Sequence, residues 1–150
     1  MMNPLLGFCT ILMACLPGLS LAAAPKSYAA FSPTQAQIDT QMSPAFRSCI
    51  KASGGVTSVM RDCMNVEYGR IDRQFTITYR KTLARLPSDR SRVALKQSQR
   101  QWIATRGASC QARARDAGGG TASLLVADSC GLSELARRHL WMGHYGLQKK

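Results

Sequence analysis

The feature that most constrains the fold is a set of four cysteines beyond the apolar amino-terminal stretch: Cys49, Cys63, Cys110 and Cys130. An even number of cysteines in a small exported domain indicates two disulfides. Zinc is the competing explanation. The set contains no Cys-x2-Cys pair, however, and both histidines lie outside it, so neither a metal nor another cofactor is expected.

Residues 1–24 have the composition of a signal peptide and contain no Lys, Arg, Asp or Glu. They end in a run of small residues, and cleavage after Ala22 is the first choice. Two alternatives stay open. Cys15 ends a segment that approximates a lipobox, and the stretch is also a candidate for an uncleaved anchor, which Pro17-Gly18 disfavours. The chain is therefore expected to be periplasmic or secreted, and to meet a membrane only if Cys15 is lipidated.

Serine, proline and glycine divide the rest of the chain into helices. Residues 25–43 have the pattern of a linker that ends in a short helix starting near Ser32-Pro33. Ser43-Pro44 opens a second helix over residues 44–52. The longest helix is capped by Thr57 or Ser58 and stops at Leu86-Pro87, because proline cannot continue it. Apolar residues recur at helical spacing between these limits.

Two further helices follow. Ser88 or Asp89 starts the first, a triple-glycine turn at 118–120 ends it, and Thr121 caps the last helix, over about 122–141. No strand pattern of comparable strength is present. The sequence predicts an all-α fold, a small antiparallel helical bundle, in one domain over residues 44–142. A loose tail is expected at 143–150.

The glycine turns also predict how the cysteines pair. Cys110 lies ~10 Å along its helix before the triple-glycine turn, and Cys130 lies ~13 Å along the next helix. In two antiparallel helices these positions are roughly level. The same holds for Cys49 and Cys63 on either side of Gly54-Gly55. The expected disulfides are therefore Cys49–Cys63 and Cys110–Cys130, rather than either other pairing.

An ordered motif lies on the two long helices. It reads Cys63-x3-Glu67-x4-Asp72-x2-Phe75-x3-Tyr79, followed by Gln99-x2-Trp102-x3-Arg106-x3-Cys110. Cys130 and then Leu135-x2-Arg138 follow on the last helix. This order resembles the LprI-like family of exported bacterial proteins, which is named for a lysozyme inhibitor, and the resemblance covers roughly residues 45–140. Thr76 and Gly107 stand where the family pattern has Asn and Asp. The motif residues are Glu67, Asp72, Tyr79, Gln99, Trp102 and Arg106.

The resemblance implies a binding protein, with a lysozyme or another cell-wall hydrolase as its partner, inhibited by blockage of the cleft. It carries no catalytic residue. The sequence itself also argues against an enzyme, because it has no Gly-rich phosphate loop, no His-Glu-x2-His and no convincing pair of acids. Trp102 is expected in the core rather than on a binding surface. Arg106 is expected to pair with Asp72 or Glu67 across two helices, the alternative being that it faces a partner.

Charge supplies an alternative function. The chain carries 20 Lys and Arg against 8 Asp and Glu, a net charge of +12. These cations either form a solvated face or make the protein a cationic envelope module that binds anionic polymers or an acidic protein. Export makes nucleic acid a poor partner, and a basic lysozyme would be repelled at long range. The candidate surface residues are Arg80, Lys81, Arg85, Arg92, Lys96, Arg100, Arg113 and Arg115.

Overall fold

Five helices make up the part of the chain that the structure, a computed structural model, describes, which is residues 31–147. The predicted leader, its cleavage site and Cys15 lie outside the described residues. No strand occurs between residues 31 and 147, so the all-α prediction is confirmed. The helices are α1 (Gln35–Asp39), α2 (Pro44–Ala52), α3 (Thr57–Arg85), α4 (Asp89–Asp116) and α5 (Gly120–His144).

Serine caps and one proline set three of the helix ends as predicted. The Ser43 hydroxyl accepts a hydrogen bond from the backbone N–H of Phe46 and caps α2. The Ser88 hydroxyl caps α4 in the same way. The residue before Pro87 has an extended backbone that ends α3, because the proline ring excludes the helical conformation there.

Three predicted caps are wrong. Thr34 rather than Ser32 caps α1. Val56, not Thr57 or Ser58, precedes α3, and its side chain makes no capping bond. The backbone N–H of Val56 donates to the Ser53 carbonyl at 3.0 Å and closes the turn before the helix. Gly119 rather than Thr121 precedes α5. Its φ of 85° lies in the left-handed region, which glycine adopts without strain, so the chain enters α5 directly.

The segment before α2 packs on the bundle instead of acting as a free linker over its whole length. Ile38 of α1 is fully buried, and α1 packs against α5. Arg137 of α5 donates to the Pro33 carbonyl at 3.2 Å. The predicted short helix is therefore present, as α1. Residues 33–43 are not a free linker, because the buried Ile38 side chain and the hydrogen bond from Arg137 hold them against α5.

The carboxyl end is likewise ordered further than predicted. Helix α5 continues to His144, and Tyr145 is only 6% exposed. Arg85 at the end of α3 donates to the carbonyls of Gly143 and Tyr145, at 3.0 and 2.7 Å. The prediction of a loose tail from Gly143 is wrong for these residues, since aromatic burial and the arginine bonds hold them against α3.

Helix α5 packs against both α3 and α4. It runs parallel to α3, since Arg61 pairs with Asp128 at 2.6 Å and the Thr82 hydroxyl donates to the Met142 carbonyl at 3.1 Å. It runs antiparallel to α4. The core between the helices consists of Ile38, Met64, Ile71, Phe75, Leu86, Leu95, Leu132, Leu135, Ala136, Met142 and Tyr145.

Both predicted disulfides are confirmed. The Cα atoms are 5.8 Å apart in Cys49–Cys63 and 5.5 Å apart in Cys110–Cys130. Because α3 and α5 are parallel, both disulfides and both glycine turns, at 54–55 and 118–120, lie at the same end of the bundle. This region is called the stapled end below. One disulfide joins α2 to α3 and the other joins α4 to α5.

Candidate functional site

A strongly basic stretch runs from the second half of α3 through α4. Between Arg73 and Arg115 the chain has eleven Lys or Arg residues and one acid, Asp89. Helix α4 presents part of this charge on a stripe formed by Val93, Lys96, Arg100 and Ile103, which share one face at helical spacing. This set is called the α4 stripe.

The α4 stripe combines free charge with exposed apolar groups. Val93 is 52% exposed and Ile103 is 55% exposed. Lys96 and Arg100 between them are exposed and form no ion pair with any described residue. Unpaired cations with exposed apolar side chains on either side make the α4 stripe a candidate contact surface for a partner of negative charge.

The other predicted surface cations divide between structural and free positions. Arg92 pairs with Asp89 at 3.1 Å, and Arg113 lies 3.8 Å from Glu134. Arg85 bonds the carboxyl end, as described above. Of the remaining predicted surface cations, Arg80, Lys81 and Arg115 are exposed and form no ion pair within residues 31–147.

Arg106 has a different environment from the one predicted. Its Nη1 donates to the Tyr68 hydroxyl at 2.6 Å, and its guanidinium carbon lies 4.7 Å from the centre of the Trp102 ring. Asp72 is exposed and Glu67 is bound elsewhere. The predicted pairing of Arg106 with either carboxylate is therefore wrong, because a hydroxyl and two aromatic rings occupy the positions around the guanidinium.

An open cavity of about 330 Å³ lies beside Arg106, between α3, α4 and α5. It is called the Arg106 cavity. Neither Gly107 nor Gly131 would meet a heavy atom within 4 Å if a Cβ were added, so both glycines leave space. The cavity is lined by Met64, Asn65, Tyr68, Arg106, Gly107, Cys110, Gln111, Ala127, Asp128 and Gly131.

Glu67 is a buried structural carboxylate. It is 2% exposed and accepts from the Ser43 backbone N–H at 2.6 Å and from the Ser43 hydroxyl at 2.8 Å. Arg70 bonds the same carboxylate at 2.6 and 3.0 Å and also donates to the Gln41 carbonyl. Burial alone raises the pKa of Glu67, but the bonds from Arg70 and Ser43 outweigh it and leave the pKa lowered.

The Glu67 cluster ties the start of α2 to α3. Sequence reasoning identified Glu67 but missed both of its partners. Arg70 lies three residues later on the same helix, and that spacing was a usable signal. The contact with Ser43 spans 24 residues and depends on the packing of α2.

Arg138, the last residue of the family motif, is half-buried and makes contacts that the sequence did not predict. Its guanidinium carbon lies 3.9 Å from the centre of the Trp141 ring and 5.7 Å from that of Trp102. It donates to Gln99 at 3.0 Å and to Ser98 at 2.9 Å. Burial lowers the pKa of Arg138 to about 10, while Tyr145 and Tyr79 act in the opposite direction. This arginine therefore links α4 to α5.

The remaining motif residues surround these arginines. Trp102 is half-buried, so it is neither the full core residue that was predicted nor an open binding surface; its ring packs 6.1 Å from Phe75. Tyr79 is half-buried and stacks on Phe75 at 6.2 Å. The structure thus brings Gln99, Trp102 and Arg106 together with Arg138, and leaves Asp72 at the surface.

His139 is the one histidine inside the packed bundle between residues 31 and 147. Its Nε2 lies 3.0 Å from the Thr78 hydroxyl, and its buried Nδ1 has no hydrogen-bond partner. Burial, aided by the positive charge of Arg70, lowers the pKa of His139. The neutral imidazole is therefore the form that the fold favours.

A second groove, of about 450 Å³, lies between α2 and α3. Its exposed apolar residues are Val59, at 42%, and Val66, at 75%, and Phe46 packs beside them. This α2–α3 groove is separated from the α4 stripe by the body of the bundle. It contains no Lys or Arg apart from Arg70 and Arg73.

Residues 31–147 contain neither a cluster suited to a metal ion nor a helix suited to a membrane span. No group of three or more His, Cys, Asp or Glu side chains is placed to hold a metal ion there. No helix in that range is long and apolar enough to cross a membrane. The two disulfides fit an oxidising compartment outside the cytoplasm.

The comparisons with known proteins give one match. A family model described as "Lysozyme inhibitor LprI" matches residues 49–141, which is more than half of the chain. The match includes all four cysteines, the α4 stripe and Arg106. No curated protein and no solved structure matches the chain.

Proposed function

The chain belongs to the lysozyme inhibitor LprI family, and we propose that it is a non-enzymatic inhibitor of an acidic or neutral cell-wall hydrolase. Family membership makes a lysozyme-type hydrolase the general kind of partner. The proposed contact is the α4 stripe, which lies across the opening of the enzyme's substrate cleft. The observation that carries this contact is the pair of exposed, unpaired cations, Lys96 and Arg100, between two exposed apolar residues.

The chemistry of the target supports this choice. Most glycoside hydrolases use two carboxyl groups that flank the scissile bond, so their clefts carry negative charge. Lys96 and Arg100 lie one helical turn apart and offer two cations to such a cleft. Val93 and Ile103 bracket them over about 15 Å of helix. These apolar groups supply the area that excludes water around the charges.

Net charge restricts which hydrolases are suitable. The chain has a net charge of +12, and α4 concentrates unpaired positive charge. A strongly basic lysozyme would be repelled at long range, which slows association most at low salt. An enzyme with an acidic surface would instead be attracted, and one with a neutral surface would not be repelled. The proposed target is therefore an acidic or neutral hydrolase and not a strongly basic one.

The second candidate is a cationic envelope module that binds anionic polymers. Arg80 and Lys81 on α3 and Arg115 on α4 favour it, because they add unpaired charge outside the α4 stripe. Such binding needs charge but no apolar contact, and it weakens steeply with salt. The exposed Val93 and Ile103 favour a protein partner.

Both candidates place the protein outside the cytoplasm, in the periplasm or secreted. The apolar leader and the two disulfides support this location. A lipid anchor at Cys15 is the alternative, and the mass of the mature amino terminus distinguishes the two.

The test is a titration of the exported chain into acidic, neutral and basic wall hydrolases while lysis is measured. We expect inhibition near equal molar amounts for an acidic or neutral enzyme. The double variant Lys96→Glu/Arg100→Glu should inhibit at least about tenfold more weakly, since it places like charges at the cleft. Lys51→Glu on α2 is the control for a single charge reversal, because Lys51 is exposed and lies on a different helix from the α4 stripe, and it should leave inhibition unchanged.

Two results would overturn the proposal. One is unchanged lysis by every enzyme at excess protein. The other is an equal loss of inhibition in the double variant and in Lys51→Glu, which would show a general charge effect. Binding to anionic wall polymers that disappears at high salt, without inhibition, would instead support the second candidate.

A further inference from the structure

The Arg106 cavity contains a cation that the protein itself does not neutralise. Arg106 is half-buried, and its one hydrogen bond goes to the neutral Tyr68 hydroxyl, at 2.6 Å. No carboxylate within residues 31–147 pairs with it. A partly buried guanidinium without a negative partner retains strong affinity for one.

The other charges at the cavity do not compensate for Arg106. Asp128 lines the cavity, but its carboxylate is bound by Arg61 at 2.6 Å. These two opposite charges cancel, so the positive charge of Arg106 remains. Asn65 and Gln111 line the same cavity and are exposed. Their amide groups add neutral hydrogen-bond donors around the cation.

The shape of the cavity leaves room for a ligand. Its volume of about 330 Å³ lies at the small end of the range for small-molecule sites. Gly107 and Gly131 form parts of the wall without side chains, and open space lies where their Cβ atoms would be. A group that enters between the helices therefore meets Arg106 without displacing a side chain at these two positions.

The guanidinium is also held in place before any ligand arrives. It lies 4.7 Å from the Trp102 ring centre and 5.5 Å from that of Tyr68. Cys110, one turn beyond Arg106, is joined to α5 by its disulfide. A fixed cation loses little conformational entropy on binding.

We propose that the Arg106 cavity binds a carboxylate group. The planar guanidinium matches the geometry of a carboxylate and can donate two parallel hydrogen bonds to it. The cavity begins about one helical turn beyond Ile103 and shares no residue with the α4 stripe. Its test with a small ligand therefore does not depend on the proposed inhibition. The carboxylate belongs either to a small wall component or to an acidic side chain of a protein partner. The two sources share this chemistry and are separated by the experiment.

The first arm of the experiment uses two sugars that differ in a lactyl carboxylate. N-acetylmuramic acid carries that group and N-acetylglucosamine lacks it. Each is titrated into the exported chain, labelled with nitrogen-15, and amide shifts are followed by NMR. For a small-ligand source we expect N-acetylmuramic acid to shift the resonances of Asn65, Arg106 and Gln111, and the neutral sugar to leave them unchanged.

Three variants assign the binding to the cavity. Arg106→Gln removes the charge and should weaken binding at least about tenfold. Gly131→Leu places a side chain in the cavity but retains Arg106. Because a Cβ at this position meets open space and leucine favours a helix, we expect this variant to fold. It should also weaken binding at least about tenfold. Arg115→Gln removes an exposed cation on the same helix and should bind as the parent does.

The second arm uses an inhibited wall hydrolase as the source of the carboxylate. If the protein supplies it, Arg106→Gln and Gly131→Leu should each weaken hydrolase binding at least about tenfold, Arg115→Gln should not, and the sugar acid should not bind. A positive result in either arm supports the carboxylate site. Equal binding of both sugars, or binding in both arms that neither cavity variant changes, would overturn it, as would no binding in either arm. Failure of inhibition through the α4 stripe leaves the sugar arm intact, so the two proposals fail separately.

Discussion

Replacement of Glu67 by glutamine should strongly destabilise the fold without changing its shape. The substitution keeps the side-chain volume but removes the negative charge that Arg70 and Ser43 surround. The new amide has an NH₂ group in place of one carboxylate oxygen. That NH₂ group would face the hydrogen-bond donors of Arg70 and Ser43. Arg70 would then remain beside the core without its partner, and the hydroxyl and backbone N–H of Ser43 would share one remaining oxygen.

The magnitude follows from the burial of the two partners. Removal of one member of a buried ion pair costs 3–5 kcal/mol in general. The Glu67 side chain is only 3% exposed, whereas the Arg70 side chain is 29% exposed and keeps part of its solvent contact. We therefore expect the lower limit, about 3 kcal/mol. In a domain of this size this loss corresponds to a fall of about 12 °C in the melting temperature.

Chemical and thermal unfolding with the disulfides intact measures this loss. Asp72→Asn is the matched control, because it removes a carboxylate from the same helix at an exposed position, and it should change stability by less than about 0.5 kcal/mol. The pH dependence provides a second readout. The pKa of Glu67 is lowered on folding, so its contribution is present above the ordinary value of 4.5 and is lost as the pH falls through the folded value. Glu67→Gln should lack that acid-dependent loss. A destabilisation no larger than that of Asp72→Asn would refute the reasoning.

Three further predictions concern the core and the stapled end. Replacement of Cys110 and Cys130 together by serine should cost about 3 kcal/mol, from a shift in the denaturation midpoint, because a closed loop of this length is released in the unfolded chain; an unchanged midpoint would contradict the stapling role. Stability should fall as the pH drops below 6.5, since the pKa of His139 is lowered on folding, and His139→Gln should have a smaller slope between pH 7 and 5. An equal slope would assign this loss to other groups. Thr82→Val should cost about 1 kcal/mol by chemical unfolding, because it leaves the Met142 carbonyl without its buried hydroxyl donor; a stabilising effect would contradict this role.

The helices and the disulfides could be predicted from the sequence because local signals determine them. Ser43-Pro44 and Ser88 supply caps within one turn of the residues they bond. Pro87 excludes a continuing helix regardless of its surroundings. The pairing of the cysteines could be predicted because the two members of each pair lie at similar distances along their helices from a glycine turn. Each of these inferences needs only the geometry of one helix or one hairpin.

The arrangement around Arg106 could not be predicted in the same way. Helical spacing identified the face on which Arg106 lies, but not which residue of α3 is opposite. That depends on the rotation of α3 about its axis, which the packing of α5 between the helices sets. The packing places Tyr68 beside the guanidinium and directs Glu67, the preceding residue, to Ser43. The contacts of Arg138 could not be predicted for the same reason, because its two ring partners lie on different helices.

The most direct test of the α4 stripe as the inhibitory contact is NMR mapping of the bound surface. The exported chain, labelled with nitrogen-15, is mixed with an unlabelled acidic wall hydrolase that it inhibits. Shift changes or line broadening should centre on residues 93–103 of α4, and they should be absent from the complex with Lys96→Glu/Arg100→Glu at the same concentrations. Changes centred on Phe46, Val59 and Val66 of the α2–α3 groove, with α4 unaffected, would contradict the α4 contact.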